Sequence, residues 1–258
     1  MPRFAANLTM MFNEWPFLDR FEASAEAGFA AVEFQFPYDF EPEIIADRLQ
    51  RHGLTQALFN LPPGNWAAGE RGLAALPGRF DELKAGVERA AVYTEATGAK
   101  RVHLMSGIAS RHDPEAEKSY RRAVIHTAER LGEQGVDVLL EPINARNMPG
   151  YYLNDFAYAE ALIADLKLPN VKLQFDMYHR QILHGDVIMA FRAMQPIVGH
   201  IQAASVPSRH EPDGEELNYP YLFGELDRLG YNGFVGCEYI PRSGTLAGLG
   251  WFRLHARS

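Results

Sequence analysis

Four polar residues stand where short runs of apolar residues end. Glu141 follows Val-Asp-Val-Leu-Leu, Asp176 follows Lys-Leu-Gln-Phe, Gln202 follows Gly-His-Ile, and Glu238 follows Phe-Val-Gly-Cys. A carboxylate in such a place suits an apolar core badly, because burying an unpaired charge costs several kcal/mol or forces neutralisation. Three carboxylates that converge on one point raise each other's pKa values unless a cation compensates. The four residues together therefore predict one divalent-metal site.

The donor types indicate which metal such a site would hold. Carboxylate and amide oxygens dominate, and no histidine or thiolate is required, so Mg²⁺ or Mn²⁺ fits better than Zn²⁺. The alternative is that each polar residue is separately salt-bridged or solvated, as is common at the rim of a barrel. The coincidence of four such residues favours the shared site.

The four residues can share one site only in a fold that brings the ends of successive strands together. Short β-branched and aromatic runs alternate along the chain with longer stretches of helical periodicity, which is typical of βα units around a parallel sheet. The chain has 258 residues, close to the roughly 250 of one (β/α)8 unit. We therefore expect an α/β fold with a single TIM barrel domain over residues 1–258, whose strands cover 4–8, 31–36, 55–60, 101–105, 136–141, 171–176, 198–202 and 234–238.

Turn and capping residues divide the predicted units. A helix over 80–97 should end at Gly98, another over 120–131 should end at Gly132, and Asp113 should begin a helix. Two connections, 61–78 and 203–219, are longer than a βα loop requires. Both follow strands, so we expect them to lie over the catalytic rim as lids or binding walls, with ordinary surface loops as the alternative.

Composition excludes several classes of function. The net charge is −8, and Lys and Arg are scattered along the chain, so the sequence predicts no basic surface that would bind a phosphate backbone. We therefore expect no nucleic-acid partner. Cys237 is the single cysteine, so no intramolecular disulfide can form. No apolar run reaches membrane-spanning length, the first residues lack a signal peptide's apolar segment, and no G-x-G-x-x-G string follows the first strand. We expect a soluble cytoplasmic protein that binds no membrane and uses neither nicotinamide nor flavin. The sequence is compatible with a homo-oligomer but does not specify the oligomeric state.

The residues carry a resemblance that runs from one end of the chain to the other. The sequence resembles the hydroxypyruvate isomerase family of xylose-isomerase-like TIM barrels, a group that also contains 2-oxo-tetronate isomerases, ketose 3-epimerases and endonuclease-IV-type proteins. The matching strings are Arg3-Phe4-Ala5-Ala6-Asn7-Leu8, Glu33-Phe34, Phe36-Pro37-Tyr38, Asn60-Leu61-Pro62, Trp66-Ala67-Ala68-Gly69-Glu70-Arg71-Gly72, Glu141-Pro142-Ile143-Asn144, Tyr178-His179, Arg209-His210-Glu211-Pro212, Asn218-Tyr219 and Gly236-Cys237-Glu238-Tyr239.

The resemblance implies a reaction and roles for the four strand-end residues. Glu141 and Glu238 would be the catalytic acid/base pair, and Asp176 and Gln202 would complete a divalent metal site with them. The implied reaction is isomerisation of hydroxypyruvate to tartronate semialdehyde, in which a proton leaves one carbon and another is added to its neighbour through an enediolate. A cation and two carboxylates could support that chemistry. The order in which the two glutamates act is not fixed by the sequence.

Further polar residues are candidates for contacts with a small acidic substrate. The resemblance favours His179 and Arg209, and arginine suits a bidentate grip on a carboxylate. His103, within the fourth predicted strand, could line the cavity, Trp66 could form an apolar wall or be simple packing, and Asn7 is a further candidate. Without the resemblance, a lone histidine or loop arginine is more often structural or solvated.

One position departs from the family. Ile240 stands where the family string has lysine, so hydroxypyruvate as substrate is less secure than the reaction class. The alternatives are isomerisation of 2-oxo-tetronate, 3-epimerisation of a ketose, and a barrel without catalytic activity.

Overall fold

The computed structural model describes residues 2–255 and shows a closed barrel of eight parallel strands. Each strand pairs with the next along the chain, and the last pairs with the first. The predicted TIM barrel is therefore confirmed. The strands are β1 (Arg3–Asn7), β2 (Ala31–Glu33), β3 (Thr55–Asn60), β4 (Arg101–His103), β5 (Asp137–Leu140), β6 (Val171–Asp176), β7 (Val198–Gln202) and β8 (Phe234–Cys237).

Helices cover the outside of the barrel and connect the strands. The α-helices of the described residues are α1 (Arg20–Glu26), α2 (Pro42–Arg51), α3 (Phe80–Thr97), α4 (Pro114–Gly132), α5 (Phe156–Leu166), α6 (Met177–Leu183), α7 (Val187–Met194), α8 (Tyr219–Arg228), α9 (Thr245–Gly248) and α10 (Gly250–His255). Short 3-10 helices lie at Phe17–Asp19, Trp66–Ala68 and Gln195–Ile197. None of the helices that the structure describes is both long and apolar enough to span a membrane.

The predicted strands agree with the structure at β3, β6 and β7 and run too far at other strands. The largest difference is at β2, which ends at Glu33, because the register with β3 shifts between Val32 and Glu33 and the chain then turns away. Strand β4 ends at His103 instead of residue 105, and β5 and β8 end one residue before Glu141 and Glu238. Both glutamates therefore lie on the rim immediately beyond the hydrogen-bonded ladder.

Alternation along the strands separates an apolar shell from a polar barrel interior. Val138 and Leu140 of β5 belong to the main hydrophobic core, and side chains in a strand point alternately to its two faces. Gln174 and His200, by contrast, are buried polar residues of β6 and β7. Cys237 belongs to the same hydrophobic core, as expected for the neighbour of a residue that faces the interior.

The helix ends test the capping predictions. Helix α3 ends at Gly98, which has a φ of 73° as the prediction requires, and the Asp113 side chain accepts a hydrogen bond from the Glu115 amide at the start of α4. Helix α4 ends at Gly132 as predicted, but Gly132 is its last helical residue and the C-cap is Glu133. Gly135 has the positive φ, 65°, and the chain turns there towards β5.

The two long connections both leave the carboxyl-terminal rim, after β3 and after β7. The second is tied to the segment after β8: the His210 Nδ1 lies 2.7 Å from the Ile240 carbonyl oxygen, and the Arg242 amide donates to the Glu211 carboxylate at 3.1 Å. These contacts hold the connection over the end of the barrel, beside Glu238.

Candidate active site

Three of the four predicted strand-end residues meet at the rim. One side-chain oxygen each of Glu141, Asp176 and Glu238 and one ring nitrogen of His179 lie within 4.8 Å of one another. All four residues are buried. Glu141 and Glu238 follow β5 and β8, so they reach the cluster from different sides of the barrel mouth, and Asp176 closes β6 between them.

The three carboxylates share one poorly solvated space. Burial raises the pKa of Glu141 well above its ordinary value, and the nearby Glu238 and Asp176 charges raise it further. Burial also raises the pKa of Asp176 to about 7 and raises that of Glu238. Protons or a cation must therefore offset the negative charge of this cluster at neutral pH.

Arg209 supplies one positive charge to the cluster. Its Nη2 atom lies 2.5 Å from Glu238 Oε2 and 3.9 Å from Asp176 Oδ2. Burial opposes the guanidinium charge, yet the surrounding carboxylates outweigh it and raise the pKa of Arg209. The arginine is thus held as a permanent cation against the carboxylate that is a candidate base.

The backbone of Arg209 adopts a conformation that is uncommon outside glycine. Its φ is 58°, which costs of order 1 kcal/mol and persists only where the surroundings impose it. The Arg209 amide donates to Ser205, and its carbonyl oxygen accepts from the Ile240 amide at 2.8 Å. The segments after β7 and β8 therefore fix this arginine together.

The hydrogen bonds of His179 define its tautomer. Its Nδ1 atom faces the Asn144 backbone amide at 3.3 Å and the Asn144 Nδ2 at 2.6 Å, while Asn144 Oδ1 accepts from the Asn147 amide. Two donors face Nδ1, so Nδ1 is the acceptor and the proton of the neutral ring is on Nε2. Burial lowers the pKa of His179 well below its ordinary value. His179 thus presents an N–H, 3.5 Å from Asp176 Oδ2, that can donate to a substrate oxygen but offers no lone pair to a metal.

His103 lies beside Glu141. Its Nδ1 atom is 3.5 Å from Glu141 Oε2, and burial lowers the pKa of His103 to about 3, so the ring is neutral. His103 Nε2 and Glu141 Oε1 are both buried without a hydrogen-bond partner among the described residues. Such atoms indicate groups that a ligand would satisfy.

Gln202 and Asn7 belong to a polar layer at the base of the cluster. Gln202 is the neighbour of Asp176 in the sheet register; its Nε2 donates to Glu33 Oε1 at 2.9 Å and its Oε1 accepts from Gln174 at 2.6 Å. Asn7 also donates to Glu33 Oε1, at 2.9 Å. Ligation of a metal by Gln202 and contact of Asn7 with substrate both stay predictions.

Glu33 is the site residue that the strand-end argument missed. It is a buried carboxylate that closes a strand, which is the same signal that identified Glu141. The predicted strand over 31–36 placed Glu33 in mid-strand and concealed that signal. The strand in fact ends at Glu33, and the bend that follows brings Gln35 Nε2 within 3.5 Å of Glu238 Oε1.

Trp66 and Ile240 occupy more exposed positions. The Trp66 ring packs against Phe36, with ring centroids 5.3 Å apart, and lies under the Arg71 guanidinium at 3.9 Å. Ile240 contacts the site through its backbone, and its side chain is 53% exposed. The departure from the family lysine therefore changes the outer surface of the rim and leaves the buried cluster intact.

The donor set fits a divalent cation. Carboxylate oxygens from three residues lie within 4.8 Å of one another, and one buried Glu141 oxygen has no hydrogen-bond partner among the described residues. Hard cations such as Mg²⁺ prefer oxygen ligands of this kind. The cluster can hold a cation, and it places two carboxylates and an N–H donor around the same space.

The chain is similar to known proteins over nearly its whole length. The chain is similar to the 2-oxo-tetronate isomerase of Cupriavidus necator, with 52% identity covering 98% of each chain. It is similar to the hydroxypyruvate isomerase of Escherichia coli K12, with 41% identity over 97% of this chain and 98% of that one. A crystal structure of an AP endonuclease, family 2, from Brucella melitensis has 50% identity and a TM-score of 0.97, and the superposition covers both chains completely.

The family assignment follows from a match over most of the chain. The model of the xylose isomerase-like TIM barrel family matches residues 21–255. The chain therefore belongs to the xylose isomerase-like TIM barrel family, and its full-length relatives named as isomerases make it an isomerase.

Proposed function

We propose that the protein isomerises a small hydroxy-oxo acid by moving its carbonyl group to the neighbouring carbon. For hydroxypyruvate, a proton leaves C3, an enediolate forms across C2 and C3, and a proton is added to C2 while the oxygen-bound proton moves from O3 to O2. The product is tartronate semialdehyde. The observation that carries the proposal is the convergence of two glutamates from opposite parts of the chain on one buried point.

The surroundings of the two glutamates suit them to different roles. Glu238 is paired with Arg209 at 2.5 Å, which favours its ionised form, so it is the proposed base that removes the proton. Glu141 has a pKa raised well above its ordinary value and an oxygen without a hydrogen-bond partner among residues 2–255, so it is the proposed acid that returns the proton. After one turnover the two roles are reversed, as an isomerase that works in both directions requires.

The remaining groups would bind and orient the substrate. The His179 Nε2–H is aimed at the cluster and suits a substrate oxygen, and Arg209 is the candidate partner for the carboxylate of the substrate. Glu141, Asp176, Gln202 and Glu238 would hold a divalent cation, with Mg²⁺ or Mn²⁺ proposed from the oxygen-rich donor set. When bound, this cation supplies Lewis-acid stabilisation of the negative charge that develops on the substrate oxygens.

Two substrates deserve a direct comparison. Hydroxypyruvate is the substrate that the sequence predicts, and 2-oxo-tetronate is the second candidate because the relative with that name is the more similar of the two isomerases described above. Both reactions move a proton between adjacent carbons beside a carboxylate, so the same glutamates serve either one. A cytoplasmic location and a role in the metabolism of glyoxylate or related carbohydrate acids stay predictions.

The test is turnover followed by NMR in D₂O. Purified protein with Mn²⁺ or Mg²⁺ is incubated separately with hydroxypyruvate, 2-oxo-tetronate and D-fructose. The proposal predicts isomerisation of at least one of the two acids, with deuterium entering the product. Turnover of D-fructose alone would establish a ketose epimerase instead and contradict the proposal.

Variants of the two glutamates test their separate roles. Glu141→Gln should still exchange the C3 proton of hydroxypyruvate with D₂O while forming little product, because Glu238 can remove the proton. Glu238→Gln should lose both exchange and product formation. The reverse pattern would show that the roles are exchanged.

A nuclease function is opposed by charge. The net charge of −8 gives no electrostatic support for binding a phosphate backbone, despite the name of the Brucella protein. We therefore expect no cleavage of duplex DNA that contains an abasic site, at metal concentrations that support isomerisation.

A further inference from the structure

Glu33 is a buried carboxylate at the base of the site to which neither the sequence argument nor the proposed chemistry assigns a role. It is 1% exposed and accepts hydrogen bonds from three side chains. His200 Nε2 lies 2.6 Å from its Oε2, while Asn7 Nδ2 and Gln202 Nε2 each lie 2.9 Å from its Oε1. A carboxylate with three hydrogen-bonding neighbours is held in one place.

The backbone around the Glu33 carboxylate leaves a space that fits it. A Cβ atom at Gly236 would lie 2.2 Å from Glu33 Oε2, so only glycine leaves the space that the carboxylate fills. Asn7 is itself anchored, because its Oδ1 accepts from the backbone amides of Thr9 and Met10 at 3.1 and 3.2 Å. Its Nδ2 must therefore face Glu33. The position of Glu33 is thus determined by the backbone of two neighbouring strands of the barrel, β1 and β8.

The fixed carboxylate determines the orientation of the Gln202 amide. Glu33 Oε1 already accepts from the anchored Asn7 Nδ2, and a Gln202 oxygen facing it would bring two oxygens together, so the Gln202 atom that faces it is Nε2. The Gln202 oxygen is then turned away from Glu33, and one of its two lone pairs accepts from Gln174 at 2.6 Å. A divalent cation binds the oxygen of an amide and is repelled by its NH₂ group.

We propose that Glu33 is a positioning residue which, seated against Gly236 and held by Asn7 and His200, fixes the Gln202 amide so that its oxygen is the atom available to a divalent cation. This inference rests on the proposed role of Gln202 in the metal site. Glu33 itself contacts neither the cation nor the substrate. It acts on the site through the direction of one amide group.

The test measures Mn²⁺ affinity directly, without substrate, by titration calorimetry of metal-free protein. Glu33→Gln keeps the size of the side chain but presents an NH₂ to one of the three donors, so the Gln202 amide is no longer fixed. We expect Mn²⁺ to bind about 10- to 100-fold more weakly, the range typical when a partner of a metal ligand is removed. Gly236→Ala should weaken binding in the same direction by displacing the Glu33 carboxylate, and it provides a second test should Glu33→Gln fail to fold.

A control variant separates the expected loss of Mn²⁺ affinity from the general cost of removing a carboxylate that accepts hydrogen bonds from three side chains. Glu117 on α4 also accepts from three side chains, namely Tyr152, Tyr158 and Arg121. Glu117→Gln makes the same chemical change outside the barrel. It should leave Mn²⁺ affinity unchanged, and an equal loss in this variant would overturn the proposal.

A double-variant cycle with Gln202→Leu distinguishes positioning from a merely structural role. Once the Gln202 amide is gone, Glu33→Gln should cause no further loss of Mn²⁺ affinity. Additive losses, or normal affinity in Glu33→Gln, would overturn the positioning role while the metal site and the isomerase stand. Normal affinity in Gln202→Leu would remove Gln202 from the metal site and overturn the inference with it. Isomerase turnover by the unaltered protein tests the proposed function separately.

Discussion

Replacing Arg209 with methionine tests the electrostatic description of the site. The Arg209 Nη2 atom lies 2.5 Å from Glu238 Oε2, and the arginine side chain is only 14% exposed. Removal of one partner from a buried ion pair leaves an uncompensated charge and costs about 3–5 kcal/mol. For a chain of this size each kcal/mol lowers Tm by about 2–4 °C, so we expect metal-free Arg209→Met to lose on the order of 10 °C at pH 8.

The loss of thermal stability in Arg209→Met should depend on pH and be larger at higher pH. Arg209 stabilises the ionised form of Glu238, so its contribution is present where Glu238 is charged and disappears as Glu238 is protonated. The difference in Tm between the variant and the unaltered protein should therefore shrink as the pH falls from 8 towards 4.5. Thermal unfolding in EDTA, followed by circular dichroism at several pH values, measures it.

An exposed ion pair of the same length provides the control. The Arg228 Nη2 atom also lies 2.5 Å from a glutamate oxygen, that of Glu225, but the arginine side chain is 60% exposed. Arg228→Met should lower Tm far less than Arg209→Met, because solvent screens such exposed pairs. Equal losses in the two variants, or a loss in Arg209→Met that does not change with pH, would refute the argument from burial.

Three further predictions concern the metal, the histidine tautomer and a loop. Because burial raises the pKa of Asp176 to about 7, the stability linked to its protonation is complete below about pH 4 and is lost as the pH rises towards 7; Mn²⁺ should therefore raise Tm more at pH 8 than at pH 5. Asn144→Ala removes a hydrogen bond worth about 1 kcal/mol, so it should lower kcat/KM by about five- to tenfold and allow a proton on Nδ1 of His179, which ¹⁵N NMR detects. Gly72→Ala would place its Cβ atom 2.3 Å from a backbone oxygen and should lower the free energy of unfolding by about 2 kcal/mol or more. Gly78→Ala, whose Cβ atom would meet none of the described atoms within 4 Å, should lower it by about 1 kcal/mol. Urea unfolding of the two variants measures the difference.

The sequence was most informative about the residues at the strand ends. Polar residues that close apolar runs identify Glu141, Asp176 and Glu238 from the sequence, because a parallel barrel brings all its carboxyl-terminal strand ends to one rim. The same rule would have found Glu33 had the end of β2 been placed correctly. A register shift between adjacent strands determines that end, and local residue preferences do not contain this information.

Features that depend on tertiary contacts lay beyond the sequence. The tautomer of His179 is determined by Asn144, which is 35 residues away along the chain. The left-handed backbone of Arg209 is imposed by Ser205 and by the Ile240 amide. The sequence alone also leaves open whether Ile240 faces the cavity, and the structure shows that this residue is 53% exposed.

The central claim is that carboxylates from separate strands and the Gln202 amide surround a single divalent cation. Anomalous scattering from crystals soaked in Mn²⁺ tests it most directly. We predict one strong peak at coordination distance, about 2 Å, from oxygen atoms of Glu141, Asp176, Gln202 and Glu238. A peak located elsewhere, or none at a Mn²⁺ concentration that supports turnover, would contradict the account.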